Sequence, residues 1–333
     1  IAIGSGNLTN SGHGSNDELW SVFHYKLGGS ETAPIFSQVW QYILTLNKHI
    51  KGNSKEKIFR LLQNAPWINE LKSENEYAIL KKEKVRLLPV FENENKLKFI
   101  NQQLDNVEVE TINILSPYFD KNGSIIQQLK KQYSTSRINV IVDMHHGLLP
   151  YKLDTTGINF YDWSKVNETK ENDLSRLHGK LISFEIKSGE EYILQGSSNA
   201  TSAALGCDEK NSINQELNIW LHTTKKDTVL NRLGINLNDN ARINSEDLKE
   251  NENQIKSSSE YPQVHFPIKI KCAELEENIL TLYTELKDSS TFGRLLFIDR
   301  DGQESGTSEI IQLEEKVTTT LNTDTAFICV WYD

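Results

Sequence analysis

The chain has 333 residues, 37% of them hydrophobic and 25% charged, with a formal net charge of -10. This length predicts two or three folded units. The acidic balance argues against a protein that coats nucleic acid non-specifically, because that mode needs many cations, but it leaves room for a local basic groove. No apolar run reaches the roughly 18 to 20 residues that cross a bilayer, so we expect no integral membrane association.

Residues 1–30 are predicted to form a strand, a glycine-rich turn and a second strand at residues 19–25. In residues 31–105 apolar side chains recur at helical spacing, for example at Ile35, Val39 and Tyr42, and indicate a helical connection. The chain opens on Ile1, inside an apolar stretch and without the charged leader of a signal peptide. We therefore interpret it as part of a longer polypeptide whose upstream portion is not included.

Residues 106–235 alternate strands with helices. A strand at 109–115, a helix at 124–133 and a strand at 138–142 predict a βαβ unit with a parallel sheet. Strands at 180–186 and 191–196 follow, then a short helix from Thr201, a strand at 217–221 and a helix at 226–233. This order is typical of an α/β sandwich.

The C-terminal third has a different composition. Residues 236–261 are dominated by Asn, Asp, Glu, Lys and Ser and indicate a polar linker. Residues 262–333 contain four short apolar runs, at 266–272, 279–283, 293–298 and 326–331, with turns between them. That rhythm predicts a small all-β sandwich domain.

A short sequence motif occurs twice, once near each end of the α/β region. The turn Gly4-Ser5-Gly6-Asn7 recurs as Gly196-Ser197-Ser198-Asn199, and each copy is followed by a glutamate that leads a strand, first Glu18 and then Glu216. Two copies of one device indicate a site built across a pseudo-twofold interface. Trp20 and Trp220 follow these glutamates at comparable places, and we expect both indoles to pack in the core rather than to stack on nucleic-acid bases.

His178 and Lys180 precede the second copy of this turn on a predicted strand. Strand alternation places both side chains on one face, so both cationic heads point into the same cleft. The Gly-Ser-Ser-Asn turn, which opens the helix at Thr201, offers an amide, hydroxyls and backbone N–H groups. Together these residues predict an anion-binding corner.

His178, Lys180, the acid Glu185 and the turn of Gly196, Ser197 and Asn199 resemble the second catalytic motif of the phospholipase D superfamily. Residues 116–119 also resemble the start of the second half-domain in that family. The resemblance covers roughly residues 1–230 and is nearest to the tyrosyl-DNA phosphodiesterase-like and bacterial nuclease branches. It implies a partial first half in residues 1–30 and a complete second half in residues 106–235 of a phospholipase D-like α/β/α sandwich.

The chain departs from the family pattern in two ways. Glu185 stands where the family usually has Asp, and the gap to Gly196 is longer than in the common form. The first His-x-Lys is absent, because the chain begins at the first Gly-Ser-Gly-Asn turn. We therefore expect this chain alone to be catalytically incomplete, with upstream polypeptide or a second chain completing the site.

The resemblance implies a two-step phosphodiesterase that needs no metal or other cofactor and passes through a phosphohistidine. In that mechanism His178 is the general acid and base, and Glu18 or Glu216 orients a histidine ring. Lys180, Asn199 and Asn7 would hold the phosphate. The turn residues Ser5, Gly196, Ser197 and Ser198 would bind substrate.

The preferred function is a nuclease in the cytoplasm, part of a bacterial defence or repair protein, whose β-domain docks a protein partner or substrate. Cys207, Cys272 and Cys329 are scattered, which favours a reducing compartment. Two alternatives are a phospholipid phosphodiesterase or phosphatidyltransferase, and an inactive module that binds phosphate or nucleic acid.

Two adjacent histidines, His145 and His146, follow Asp143. We expect them to line a cleft or lie on the surface rather than to bind a metal, because no third ligand has a recognisable spacing.

Overall fold

The computed structural model describes residues 1–6, 16–27, 29–48, 53–71, 75–81, 83–91, 93–166, 176–208, 210–224, 226–248, 268–276, 278–286, 292–298, 304–307, 311–312, 316–320 and 327–332. The chain forms two compact units. Unit 1 contains residues 1–45 and 65–260, and unit 2 contains residues 46–64 and 261–333.

Unit 1 holds most of the regular structure. Its strands are β1 (Ala2–Gly4), β2 (Asn16–Asp17), β3 (Trp20–Val22), β4 (Ala78–Leu80), β5 (Glu83–Val90), β6 (Val109–Leu115), β7 (Arg137–Val142), β8 (Ile158–Asp162), β9 (Arg176–Leu177), β10 (Leu181–Ile186), β11 (Glu191–Gly196), β12 (Glu216–Thr223) and β13 (Arg242–Ile243). The helices of the chain are α1 (Ala33–Asn47), α2 (Ser54–Asn64), α3 (Lys96–Gln103), α4 (Ser124–Gln132), α5 (Trp163–Val166), α6 (Ser202–Leu205) and α7 (Val229–Arg232), of which α2 lies in unit 2.

A nine-stranded mixed sheet organises unit 1, with the strand order β13-β8-β7-β6-β10-β11-β12-β5-β4. Strands β6, β7 and β8 are parallel, and the other neighbours are antiparallel. Strand β6, helix α4 and strand β7 form the predicted βαβ unit, so this prediction is confirmed.

Helices cover both faces of this sheet. On one face α3 and α4 bury Leu97, Ile100, Ile125 and Leu129 in the largest apolar cluster. On the other face α5 and α7 contribute apolar side chains to a second cluster, and α1 contributes Ile35 and Phe36 to a third. Burial on both faces explains why adjacent residues of a strand are apolar, as in Val140-Ile141-Val142 of β7. The predicted α/β fold class is confirmed.

A row of amide side chains crosses the three parallel strands. We call Asn113, Asn139 and Asn159 the asparagine row. Asn159 Nδ2 donates to Asn139 Oδ1 at 3.1 Å, and Asn139 Nδ2 donates to Asn113 Oδ1 at 2.8 Å. The three residues are direct partners in the strand register. Asn113 Nδ2 in turn donates to Glu185 Oε1 at 2.7 Å, so the row ends on a carboxylate.

Two segments differ from the sequence predictions. Residues 31–105 contain strands β4 and β5 as well as helices, and β5 pairs with β12 along its whole length. Residues 236–248 of the predicted polar linker carry β13, which pairs with β8 at the edge of the sheet. Both segments are therefore partly built into unit 1.

Unit 2 consists of α2 and the strands β14 (Ile268–Glu276), β15 (Ile279–Leu286), β16 (Phe292–Ile298), β17 (Glu304–Thr307), β18 (Ile311–Gln312), β19 (Lys316–Thr320) and β20 (Phe327–Tyr332). One antiparallel sheet has the order β14-β15-β19. The other has the order β17-β16-β18, with β20 also paired to β16. Each of the four predicted strands is present.

No helix in the described ranges is long and apolar enough to cross a membrane.

Candidate active site

A short parallel pairing brings the two ends of the repeat together. Strands β2 and β9 pair Asn16 with Arg176 and Asp17 with Leu177. The Asp17 carbonyl oxygen accepts hydrogen bonds from His178 N at 3.0 Å and from Gly179 N at 2.7 Å. Leu177 is buried and anchors this segment in the second apolar cluster. The backbone before His178 is thereby fixed beside the backbone before Glu18.

Glu18 holds the imidazole of His178. Nδ1 of His178 lies 2.8 Å from Oε1 and 2.9 Å from Oε2 of Glu18. Ser5 Oγ donates to Glu18 Oε2 at 2.6 Å. Burial alone would raise the pKa of Glu18, but the hydrogen bonds from Ser5 and His178 lower it overall. Because an imidazole held through Nδ1 presents Nε2 as the atom that exchanges a proton, this contact prepares His178 for acid–base chemistry.

The second copy of the repeat has the same hydrogen-bond pattern. Ser197 Oγ donates to Glu216 Oε2 at 2.5 Å, and Leu217 N donates to Ser197 Oγ at 2.9 Å. In the first copy Leu19 N donates to Ser5 Oγ at 3.0 Å. The serine N–H groups donate to the Leu19 and Leu217 carbonyl oxygens, both at 3.1 Å. The two copies are thus equivalent structures, in which each serine hydroxyl positions a glutamate.

Both turns require glycine at their first position. A Cβ atom on Gly4 would lie 2.3 Å from the Leu19 carbonyl oxygen, and one on Gly196 would lie 2.4 Å from the Leu217 carbonyl oxygen. These are backbone atoms that cannot move aside cheaply. The closeness of the turn to the following strand is therefore what allows each serine to reach its glutamate.

The expectation for Trp20 was wrong. Trp20 is 44% exposed, whereas Trp220 is 1% exposed and lies in the core as predicted. The strand register explains the difference, because Gly4 pairs with Trp20 whereas Gly196 pairs with Asn218. Trp20 is therefore equivalent to Asn218 rather than to Trp220.

Lys180 lies between the two copies. Its Nζ is 2.5 Å from the carbonyl oxygen of His178, to which it donates, and 3.3 Å from Nδ1 of the same residue. Burial lowers the pKa of Lys180 to about 8, although the charges of Glu18 and Glu216 both act to raise it. The influence of both carboxylates places this ammonium between the two halves of the repeat.

The Gly-Ser-Ser-Asn turn lies at the same edge of the sheet. Ala200 N donates to Ser116 Oγ at 3.1 Å, and Ser116 Oγ donates to the carbonyl oxygen of Tyr118 at 2.9 Å. The Tyr118 ring stands edge-on to His178, with 6.4 Å between ring centroids. The Oδ1 atom of Asn199 is buried and has no hydrogen-bond partner in the part of the chain that the structure describes. A buried amide oxygen without a partner is costly and calls for a hydrogen-bond donor, whereas Nδ2 of Asn199 is the group that can donate to an anion.

The other residues predicted for the site have different surroundings. Asn7 lies outside the described residues. Ser198 is buried, and its hydroxyl accepts a hydrogen bond from Asn218 Nδ2 at 2.8 Å. With the hydroxyls of Ser5 and Ser197 bonded to glutamates, the turn offers its backbone and Asn199 to a ligand. Glu185 lies near the opposite end of β10 and belongs to the asparagine row network.

The histidines after β7 are surface residues. His145 and His146 are exposed, and their N–H groups donate to Asp143 Oδ1 at 3.0 Å and 2.9 Å. Asp143 Oδ2 accepts from Leu177 N at 3.0 Å, so this carboxylate ties β7 to the segment before His178. Within the described residues there is no group of three or more His, Cys, Asp or Glu side chains suited to a metal ion.

Two neighbours of the site were missed by sequence reasoning. Arg176 Nη2 donates to the Tyr118 hydroxyl beside His178. Tyr42 in α1 is within electrostatic reach of Glu216: burial raises the pKa of Tyr42, and the charge of that carboxylate raises it further. Alternation along the strand would have selected Arg176, which is two residues before His178. No local signal marks Tyr42, because only the tertiary fold brings it to Glu216.

No protein-family model matches the chain, and no curated protein matches it significantly. Among solved structures, a histidine-to-alanine mutant of yeast tyrosyl-DNA phosphodiesterase is similar to this chain with a TM-score of 0.46 and 12% identity. The similarity covers 69% of this chain and 65% of the yeast chain, slightly less than two thirds of its length.

Two smaller proteins also match. Nuc from Salmonella typhimurium, a phospholipase D family member, has a TM-score of 0.30 and 14% identity over 46% of this chain and 87% of its own. NucT from Helicobacter pylori has a TM-score of 0.27 and 13% identity over 45% of this chain and 91% of its own. Because the similarity is this low, the sequence motif and the geometry of the site carry the functional argument.

Proposed function

We propose that this chain carries one half of a phospholipase D-type phosphodiesterase centre that acts on nucleic acid. One observation carries the proposal: the glutamate of the first copy of the repeat binds the histidine of the second, at 2.8 Å. A histidine, a lysine and an asparagine at one edge of the sheet provide a proton carrier, a cation and an amide for a phosphate group.

Each residue has a defined task in this proposal. His178 protonates the leaving oxygen and then activates water, since Glu18 holds its ring and stabilises the cation that forms. Lys180 and Asn199 contact the non-bridging oxygens, where negative charge accumulates during phosphoryl transfer. Asn7 is their proposed counterpart from the first copy. Ser5 and Ser197 position the two glutamates.

The pseudo-twofold relation assigns a second imidazole to Glu216. Its carboxylate accepts from Ser197 Oγ at 2.5 Å and from Asn214 Nδ2 at 3.1 Å, just as Glu18 accepts from Ser5 and from Asn16. We propose that Glu216 orients the nucleophilic histidine of a first His-x-Lys motif. Upstream polypeptide or a second chain would supply that histidine, which would form the phosphohistidine.

Nucleic acid is the proposed substrate because the motif, with its long gap between Glu185 and Gly196, resembles the tyrosyl-DNA phosphodiesterase branch. We place the protein in the cytoplasm, in keeping with its scattered cysteines, within a bacterial defence or repair system. Unit 2 is the proposed docking domain for a protein partner or for substrate.

The test incubates the full-length protein with end-labelled single- and double-stranded DNA and, separately, with phospholipid vesicles, all in EDTA. We expect DNA cleavage that His178→Asn abolishes and that the exposed-histidine control His24→Asn retains. Denaturing quench in SDS at alkaline pH during turnover should trap label from the DNA on the protein as phosphohistidine, whose P–N bond is stable in alkali and labile in acid. Cleavage of vesicles alone would favour the phospholipid enzyme, and DNA binding without cleavage would favour the inactive binding module.

A further inference from the structure

Arg176, His178 and Lys180 share one side of an extended segment. They are spaced two residues apart, and successive side chains of extended backbone point to opposite sides. The intervening residues face the protein: Leu177 is buried, and a Cβ atom on Gly179 would lie 2.8 Å from Cγ of Leu19. The charged side of this segment therefore begins at Arg176, two residues before the His-x-Lys motif.

Arg176 is held at the edge of the site by an aromatic ring. Its Nη2 donates to the Tyr118 hydroxyl, and its Cζ lies 5.8 Å from the centroid of the Tyr118 ring. The same ring stands edge-on to the imidazole of His178. Tyr118 thus links the guanidinium to the imidazole, and it leaves other N–H groups of the arginine available to a further acceptor.

The Nε atom of Arg176 is buried and has no hydrogen-bond partner in the described part of the chain. In the same ranges neither Arg176 nor Lys180 forms an ion pair with a carboxylate. The two cations are close enough for the charge of Arg176 to help lower the pKa of Lys180. Among the described residues this corner thus has an unpaired donor and two cations without a direct counter-ion, and such a corner is suited to an anion.

Lys180 folds back onto His178, the residue midway between Lys180 and Arg176. Its ammonium donates to the carbonyl oxygen of His178 at 2.5 Å. The nearest carboxylates hold other partners, since Glu18 binds the ring of His178 and Glu216 binds Ser197. Among the described residues neither carboxylate is therefore a direct ion-pair partner of the Lys180 ammonium.

We propose that Arg176 is a third cationic contact for the substrate phosphate, donating from Nε to a non-bridging oxygen while Tyr118 positions its guanidinium. This rests on the proposed function and extends the motif to Arg176-x-His178-x-Lys180. The planar fork of donors lets arginine bind a phosphate oxygen while Nη2 stays on the tyrosine. The ligand is a phosphodiester anion, for which tungstate is the probe.

The experiment measures tungstate binding to the 333-residue chain by calorimetry at low ionic strength. We expect Arg176→Gln to weaken binding about 10- to 100-fold, the effect of losing one charge-assisted hydrogen bond and its charge. Arg176→Lys should recover part of the loss, because lysine keeps the charge but lacks the fork. Tyr118→Phe should weaken binding less, and thermal unfolding of each variant checks the fold.

The matched control is Arg137→Gln, which removes one positive charge from the exposed start of β7, at the opposite end of that strand from Asp143. Equal binding by Arg176→Gln and Arg137→Gln, with a loss in Lys180→Ala, would overturn the role of Arg176 and leave the pocket intact. Unchanged binding in all three variants would overturn the pocket and the proposed function with it. If Arg176→Gln does not fold, wild-type binding by both Arg176→Lys and Tyr118→Phe would equally overturn the proposal.

Discussion

Nδ1 of His178 and a carboxylate oxygen of Glu18 lie 2.8 Å apart although 160 residues separate them in the chain. Since Glu216 occupies the position of Glu18 in the other copy, the pair offers two matched substitutions. Each glutamate accepts a hydrogen bond from the serine of its own turn.

Glu18→Gln should reduce DNA cleavage by the full-length protein about 10²- to 10⁴-fold, because an amide holds the ring but does not stabilise the imidazolium. Glu216→Gln should cause a loss of similar size by acting on the other histidine. Single-turnover rates measure both effects, and DNA binding should change little. A Glu18→Gln protein with the wild-type rate would show that the contact is structural.

The charge of Lys180 should control anion binding near neutral pH. Burial lowers its pKa to about 8, so the ammonium loses its proton as pH rises through that value. Tungstate keeps a constant charge over this range, and its affinity should fall about tenfold between about pH 7 and about pH 9. The arginine of Lys180→Arg stays charged, so the tungstate affinity of that variant should not change over this pH range. A fall of equal size in that variant would assign the titration to another group.

The glycine turns should not accept a side chain. Gly196→Ala places Cβ 2.4 Å from the Leu217 carbonyl oxygen and should destabilise unit 1 by about 1 to 3 kcal/mol while displacing Glu216. Gly4→Ala should behave alike in the first turn. The control is Gly189→Ala, whose Cβ meets no atom within 4 Å and whose cost arises only from its φ of +89°. Urea unfolding measures the free energy of unfolding of the three variants. Equal losses of that free energy in all three would contradict the steric explanation.

Glu191 should make the stability of unit 1 depend on pH. Burial raises its pKa to about 7, above the ordinary value of 4.5, although Val229 N donates to it. The folded state therefore favours the protonated acid, and this contribution to stability is lost as pH rises through about 7. Glu191→Gln should raise the melting temperature above that pH by about 2 to 4 °C and leave it unchanged at acidic pH.

The control for Glu191 is Glu108→Gln, which alters an exposed carboxylate in a surface ion pair with Lys187. Thermal scans across the pH range should show no trend in that variant's difference from wild type. A Glu191→Gln protein that is less stable than wild type at every pH would show that the ionised carboxylate is needed to hold α7.

The motif residues and the βαβ unit were predictable because their signals are local. Strand β7 contains the apolar run Val140-Ile141-Val142, and the apolar residues of helix α4 have helical spacing. Strand β5 has no simple alternation, because Val85 and Leu87 face one apolar cluster while Leu88 faces another. Its place in the sheet, next to the edge strand β4, depends on pairing with β12, which is distant in sequence, and a local pattern does not report that pairing.

Within the site, residues marked by a local sequence pattern were predictable, whereas contacts that depend on the tertiary fold were not. The repeated turns identified Glu18 and Glu216, but only the register separated Trp20 from Trp220. The hydroxyls of Ser5 and Ser197 looked like substrate ligands, yet the fold uses them to hold carboxylates. The contact between Arg176 and Tyr118 depends on the tertiary arrangement of two separate segments.

The asparagine row has a consequence for how this sequence can diverge. Asn139 both accepts from Asn159 and donates to Asn113, so replacing it strands a donor and an acceptor on two neighbouring strands. Replacing one of the three asparagines by an apolar residue would be selected against, whereas replacing all three together would not. Positions 113, 139 and 159 should therefore covary among orthologues. Their joint change would mark lineages in which apolar side chains replaced the hydrogen-bonded amides inside the sheet.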